Sequence, residues 1–322
     1  MTDMKSTERP VLCLGEALID VIKRAGNIEE KVGGSVFNVA CGVASLGHPT
    51  SLASWWGKDE RGKTLEEKLV SAGVHVISGS NNAQKTPIAN AQIDNHGQAT
   101  YTFDLEWQVP PLPEIDSISH LHTGSFAATL TPGASAVLEA VEAMAIQGTI
   151  SYDPNVRPSL MGTPEQVRPK IEKLISLADV VKASDEDIAW LYGKDTPLES
   201  VLHKWKAMGP GLVVATRGPW ASYALCANDR DMLAVDPLNT QVKDTVGAGD
   251  SFMAGLISGL LDAGLLGSAE AKQRLQNARL SDIQGALYRA TVTSGITVSK
   301  VGAYAPNQVE VAKVYKRDPS FH

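Results

Sequence analysis

The segment Lys243-Asp244-Thr245-Val246-Gly247-Ala248-Gly249-Asp250-Ser251-Phe252-Met253-Ala254-Gly255 carries the densest chemistry in the sequence. Gly247 and Gly249 flank one alanine, and an amphipathic helix is expected from about Asp250 to Leu261. Small residues let a backbone come close to a ligand. The first N–H groups of a helix lack intrahelical acceptors, and the helix dipole favours negative charge beside them. Such a turn makes an anion hole suited to a transferring phosphoryl group. Asp250, kept ionised at the helix start, can accept a proton from an attacking hydroxyl. The competing reading makes Asp250 a plain N-cap and the glycines a plain turn, and for a bare Gly-Ala-Gly-Asp the two weigh equally.

Three other clusters invite chemistry. Gly57 to Thr64 satisfies G-x-x-x-x-G-K-T between a strand and a helix. It reads as a decoy, because Asp59 and Glu60 inside the loop would oppose phosphate charge. His120 and His122 share one strand face and could bind a metal, but no third ligand has suitable spacing. They read instead as strand-end residues near a substrate pocket. Asp185, Glu186 and Asp187 could support a hydrated Mg²⁺ or simply open a helix. A dinucleotide G-x-G-x-x-G is absent, since position 252 is Phe.

Strand and helix signals alternate along the chain. Apolar strand-like runs fall at 11–22, 50–56, 118–126, 149–153, 179–184 and 211–216. Helical periodicity occupies 60–72, 133–147 and 164–178. Trp55, Trp56 and Met144 read as core. This alternation predicts an α/β fold, a Rossmann-like doubly wound, mostly parallel sheet with helices on both faces. Residues 21–35 are polar and do not fit it. Residues 86–106 alternate apolar and polar about a turn at Asn95-His96-Gly97, a hairpin with one wet face. The expected organisation is a main domain of residues 1–20, 36–85 and 107–322, with 21–35 and 86–106 forming a small β-lid over the substrate site.

The 29 Lys and Arg against 36 Asp and Glu give a net charge of −7, which argues against a nucleic-acid partner. No apolar run is long enough for a membrane-spanning helix. The polar start reads as a short disordered lead and not a signal peptide. Cys13, Cys41 and Cys226 read as reduced, buried thiols of a cytoplasmic protein.

Asp244 to Phe252 closely resembles the C-terminal signature of the ribokinase-like (PfkB) carbohydrate kinases. Gly33 to Gly47 resembles their N-terminal signature, a diglycine followed by an Asn on a helix. Gly15 to Asp20 is similar to their substrate-binding first strand, and Gly57 to Gly62 fits their G-x-D-x-x-G. Asp153 to Leu160 is similar to the form seen in fructokinases and 2-keto-3-deoxygluconate kinases, and Gly302 to Pro306 fits the loop closing the nucleotide site. Together these six motifs cover nearly the whole chain.

The resemblance implies the ribokinase-like fold and transfer of the γ-phosphate of ATP to a sugar hydroxyl. Asp250 would be the base, and the amides of Gly247, Ala248 and Gly249 the anion hole. Asp20, Gly33, Gly34 and Asn38 would hold the sugar; alone, Asp20 could cap a strand and Asn38 a helix. Thr216 and Gly218 match a nucleotide-contacting turn, although Arg217, Pro219 and Trp220 depart from its small residues. Gly302 would sit beside the nucleotide. Asp244 and Val246 match positions that bind a monovalent cation, K⁺ for instance, in some members. Ser184 and Asp187 replace the usual N-x-x-E motif that organises Mg²⁺ through water. Arg157 would place a guanidinium near the phosphate or the far end of the substrate, or else pair structurally with Asp153. The first expectation for substrate is D-fructose at O6, followed by 2-keto-3-deoxygluconate, ribose or a nucleoside. A non-catalytic sugar- or nucleotide-binding regulator is the alternative of another class, and a homodimer through the exposed lid the expected assembly.

Overall fold

The computed structural model describes residues 9–24, 27–93 and 99–318. The polar lead before residue 9 and the turn at Asn95-His96-Gly97 lie outside the described residues. In chain order the strands begin with β1 (Val11–Leu14), β2 (Leu18–Arg24), β3 (Asn27–Gly33), β4 (Thr50–Ala53) and β5 (His75–Val76). They continue with β6 (Ile88–Ile93), β7 (Ala99–Asp104), β8 (His120–Gly124) and β9 (Thr149–Asp153). The last are β10 (Val180–Ser184), β11 (Leu212–Arg217), β12 (Trp220–Cys226) and β13 (Leu233–Val235). The helices are α1 (Ser35–Ser45), α2 (Glu60–Ser71), α3 (Gly133–Gln147), α4 (Pro158–Met161), α5 (Pro164–Leu177) and α6 (Asp185–Tyr192). After them come α7 (Leu198–Lys206), α8 (Ala248–Asp262), α9 (Ala269–Asn277), α10 (Leu280–Val298) and α11 (Gln308–Arg317).

A nine-stranded sheet runs β13-β12-β11-β10-β9-β8-β1-β4-β5. Its pairs are parallel except β11–β12 and β12–β13, where the chain turns straight back. Side chains alternate across a strand, so one strand feeds two cores. Val11 and Cys13 face one buried cluster with residues of α1, α8 and α10, while Leu12 and Leu14 face another with residues of α3, α5 and α7. Leu212 and Val214 divide from Val213 and Ala215 in the same way. The helical stripe expected in 133–147 is real: Val137, Ala140, Val141 and Met144 are buried on α3. All three cysteines are free and buried. No helix of the described residues is long and apolar enough to cross a membrane.

A second, four-stranded sheet has the order β3-β2-β6-β7. It contains the hairpin expected in 86–106, since β6 and β7 pair antiparallel from Ile88↔Asp104 to Ile93↔Ala99. The continuous apolar run 11–22 is two strands and not one. β1 ends at Leu14 in the large sheet, and β2 begins at Leu18 in the small one. The boundary expected after residue 20 therefore falls inside a strand. Hydropathy hides the break because Ala17, Leu18 and Ile19 are as buried as the residues of β1. Strand β4 likewise stops at Ala53, ahead of Trp55 and the fully buried Trp56.

Candidate active site

The helix α8 starts at Ala248, two residues before the expected start, and Gly247 is its N-cap with φ 76 and ψ 3. A Cβ there would lie 2.7 Å from that of Ala303, so glycine is needed for conformation and for space. Ala248 N–H donates to Thr245 O at 3.2 Å, which removes it from the expected anion hole. Among the described residues the N–H groups of Gly247, Gly249 and Asp250 meet no acceptor. The open donors at this helix start are these three.

Asp250 is 9% exposed. Its Oδ1 accepts from the Ser35 hydroxyl at 2.7 Å and its Oδ2 from Asn38 Nδ2 at 2.8 Å. Asn38 lies inside α1, whose N-cap is Gly34, so it does not cap that helix. Gly34 has φ 113, and a Cβ there would stand 2.6 Å from Glu16 O. Gly33 is small for another reason, since its Cβ would lie 2.2 Å from Asp20 Oδ2. The diglycine thus lets one strand accept a carboxylate against its backbone and then turn into a helix.

Asp20 lies on β2, opposite Lys31 of β3. Burial pushes its carboxyl up to about 6, against the pull of Arg157 and then Lys31. Arg157 does not pair with Asp153. Its Nη1 donates to Asn155 Oδ1 at 2.7 Å and to the carbonyls of Val156 and Asn155 at 3.0 and 3.2 Å. Its charge acts on Asp20 and Glu16 instead.

Asp153 pairs with Lys182, whose Nζ is 2.7 Å from Asp153 Oδ2. Both side chains are almost wholly buried, at 1% and 4% exposure. Lys182 Nζ also donates to Gly249 O at 3.4 Å, which sets this cation beneath the start of α8. Burial pushes the Asp153 carboxyl up to about 6; Lys182 opposes the rise, and Asp187 and Asp250 add to it.

Asp187 and Ser184 form a reciprocal cap on α6. Asp187 N–H donates to Ser184 Oγ at 3.0 Å, and Ser184 N–H donates to Asp187 Oδ2 at 3.1 Å. Asp187 Oδ1 accepts from Val156 N–H at 2.8 Å. Both oxygens therefore already take a backbone donor, while Glu186 stands exposed. No group of three or more metal-ligating side chains occurs among the described residues. The donor set does not make a direct cage for Mg²⁺.

Thr216 is next to last in β11, opposite Ser184 of β10, its hydroxyl donating to Ala183 O at 3.4 Å. Gly218, with φ 54 and open space around it, makes the following turn. Arg217 folds back, donating to the Tyr223 hydroxyl at 3.0 Å, and Trp220 is 66% exposed. Asp244 Oδ1 accepts from Val246 N–H at 3.0 Å and Oδ2 from Gly302 N–H at 2.8 Å. Those bonds hold its carboxyl below the usual range and strap the 243–247 turn to the 299–303 loop.

The two discounted clusters have structural roles. Asp59 caps α2, accepting from Gly62 N–H and Thr86 N–H, both at 2.9 Å, so a carboxylate occupies the place a P-loop would give to phosphate. His120 does open β8 and His122 lies at its middle, but both are fully buried, and burial holds both imidazoles down to about 3. Thr149 Oγ1 and Ser151 Oγ are their partners, within 2.8–2.9 Å.

Glu16, Ser35, Ser125 and Lys182 escape sequence reasoning. Glu16 is 4% exposed; its Oε1 accepts from Ser35 N–H at 3.0 Å, and among the described residues no donor stands within hydrogen-bond geometry of its Oε2. Ser125, buried beside it, holds φ 54 and ψ −156, a conformation nearly restricted to glycine. The usable signal was a charged residue within an apolar strand, Glu16 in 11–22 and Lys182 in 179–184.

The family profile for the pfkB family carbohydrate kinases matches residues 9–310. A fructokinase of Klebsiella pneumoniae is 31% identical over 261 residues, which span 78% of this chain and 84% of that protein. A crystal structure of fructokinase with bound ATP from Xylella fastidiosa superposes with a TM-score of 0.81 at 24% identity, covering 97% of this chain and 99% of that one. The fructokinase of Vibrio cholerae O395, solved with fructose, ADP and calcium ion, gives 0.75 at 24% identity, covering 94% and 98%.

Proposed function

The chain belongs to the pfkB family of carbohydrate kinases, and we propose from this that it transfers the γ-phosphate of ATP to O6 of D-fructose, with Asp250 as the base. The observation that carries the reading is Asp250 itself, a buried carboxylate with a donor on each oxygen, set among three open N–H groups. Each carboxylate oxygen has two lone pairs, so one on each remains for the sugar. As the sugar oxygen bonds to the γ-phosphorus in line, its proton passes to Asp250 and the bond to the β,γ-bridging oxygen breaks. The N–H groups of Gly247, Gly249 and Asp250 receive the charge on the equatorial oxygens. Lys182, whose Nζ donates to Gly249 O, would offset the negative charge gathered there.

The sugar would lie between Asp20, Asn38 and Asp250, and Arg157 would meet its far end. Asn38 gives one of its two amide N–H groups to Asp250, so its second N–H and its carbonyl oxygen are what it offers to a sugar hydroxyl. ATP would lie along Thr216, Gly218 and Gly302. Mg²⁺ would travel with the nucleotide phosphates and meet Glu186 and Asp187 through water. The Asp244 strap, with Val246, is where a K⁺ requirement would act. The small sheet, carrying Asp20 and Lys31, would close as a lid and exclude water. Its outer strand β3, with Ile28 65% exposed, supports pairing with a second copy. Fructose is favoured over 2-keto-3-deoxygluconate by the name of the Klebsiella relative and by the sugar bound in the Vibrio neighbour.

The test is ATP consumption with fructose, 2-keto-3-deoxygluconate, ribose, glucose and adenosine, with Mg²⁺ and with or without K⁺. Asp250→Asn should lower kcat by on the order of 10³-fold on the preferred sugar. Turnover on a different sugar would replace the substrate and keep the base. An active Asp250→Asn enzyme would remove the base assignment.

A further inference from the structure

We infer that Ser35 is a positioning residue for Asp250, an inference that rests on Asp250 being the base. Ser35 opens α1 and is 6% exposed. Its hydroxyl donates to Asp250 Oδ1 at 2.7 Å, while Asn38 Nδ2 donates to Oδ2 at 2.8 Å. Residues three apart on a helix share a face. One face of α1 therefore holds both oxygens of the carboxylate across the contact with α8. A single donor would leave the carboxylate free to turn about its Cβ–Cγ bond; one donor on each oxygen fixes its plane. The remaining lone pairs then have a fixed direction, which proton transfer in an in-line displacement requires.

The support behind Ser35 is itself rigid. Its N–H donates to Glu16 Oε1 at 3.0 Å, and Glu16 is buried just past the end of β1. Gly34, immediately before it, packs on Glu16 O, and any Cβ at that place would collide. The hydroxyl is thus carried on a backbone tied to the large sheet, the arrangement that holds a reacting group within tight limits. Nothing in this chain links Ser35 to the sugar directly. Its effect belongs to kcat and passes through Asp250.

The experiment measures kcat, both KM values and the thermal midpoint for wild type, Ser35→Ala, Asp250→Asn and the double variant. The sugar is whichever of the five the wild type phosphorylates, and slow residual rates are read by transfer of labelled phosphate over hours. A hydrogen bond to a charged group predicts a kcat loss of roughly 10- to 100-fold in Ser35→Ala. KM for ATP should stay within about twofold, since the nucleotide contacts are untouched. In the Asp250→Asn background the same substitution should cost nothing further. Donors also stabilise the unprotonated carboxylate, so an unchanged or raised kcat in Ser35→Ala, with Asp250→Asn inactive, would overturn the inference and leave the base in place. An equal loss in both backgrounds would also overturn it, because Ser35 would then act elsewhere. Wild-type turnover in Asp250→Asn would overturn the base and this inference together.

Discussion

Asp20 shows how a single residue can be tuned by what surrounds it. Its carboxylate lies against the bare backbone of Gly33, where burial favours the protonated form and pushes the group up to about 6. On the proposed reading Asp20 accepts hydrogen bonds from sugar hydroxyls, which the ionised form does on both oxygens and more strongly. The expected outcome is a kcat/KM for sugar that falls tenfold per pH unit below about 6, with kcat/KM for ATP falling less. Asp20→Asn should abolish that sugar-specific limb and lower sugar affinity at every pH, which a pH series on both enzymes would read. Gly33→Ala should act like a lesion of Asp20, since its methyl group would enter the space of the carboxylate.

Among the elements, α2 separates motif from function most sharply. Its first turn satisfies a phosphate-loop pattern, yet Asp59 fills the cap and Lys63 pairs with Glu60 on the exposed surface. Asp59→Ala should destabilise the fold by about 1–2 kcal/mol, measured by denaturant titration. Lys63→Ala should leave turnover within about twofold. The start of α8 was legible because glycines and an acid precede an apolar helix, a pattern local in the chain. The alternation of strand and helix was legible for the same reason, and α3 buries Val137, Ala140, Val141 and Met144 of its stripe while Ala136 is half-buried. The break between β1 and β2 was not legible, because burial on both sides of Gly15 gives one unbroken apolar run. Nor was the Lys182–Asp153 pair, whose partners are 29 positions apart and meet only because β9 and β10 are neighbours. Contacts made across a sheet leave no periodicity to read. Ser35 went unread for the same reason, since its partner lies 215 positions away.

The molecule as a whole keeps several carboxyls in protonation-favouring surroundings. Burial pushes Glu16 up to about 7, and Asp20, Asp153 and Asp179 up to about 6. An acid raised on folding binds more protons folded than unfolded between its two values, so its contribution to stability is lost as pH rises through that window. For Glu16 the window runs from the ordinary 4.5 to about 7. Asp59 and Asp244 are held low and work in the opposite sense, losing stability only as pH falls below the ordinary carboxylate range. The expected thermal midpoint is highest in mildly acidic buffer and declines toward pH 8. Glu16→Gln should flatten that decline, gaining at most on the order of 3 kcal/mol over wild type at pH 8 and nothing at pH 4. Calorimetry across pH on both proteins would decide it; parallel curves would exclude Glu16 as the source.

The division of the sugar-facing residues between two sheets has a further consequence. Asp20 rides on β2, the strand paired on both sides within the small sheet, whereas Asn38 and Asp250 ride on helices packed against the large one. On the proposed reading, with one jaw on each sheet, lid closure would make the enzyme a caliper, sorting sugars by the distance between the hydroxyls at their two ends before any chemistry begins. A chain one carbon too short would touch one jaw and leave the other shut on water.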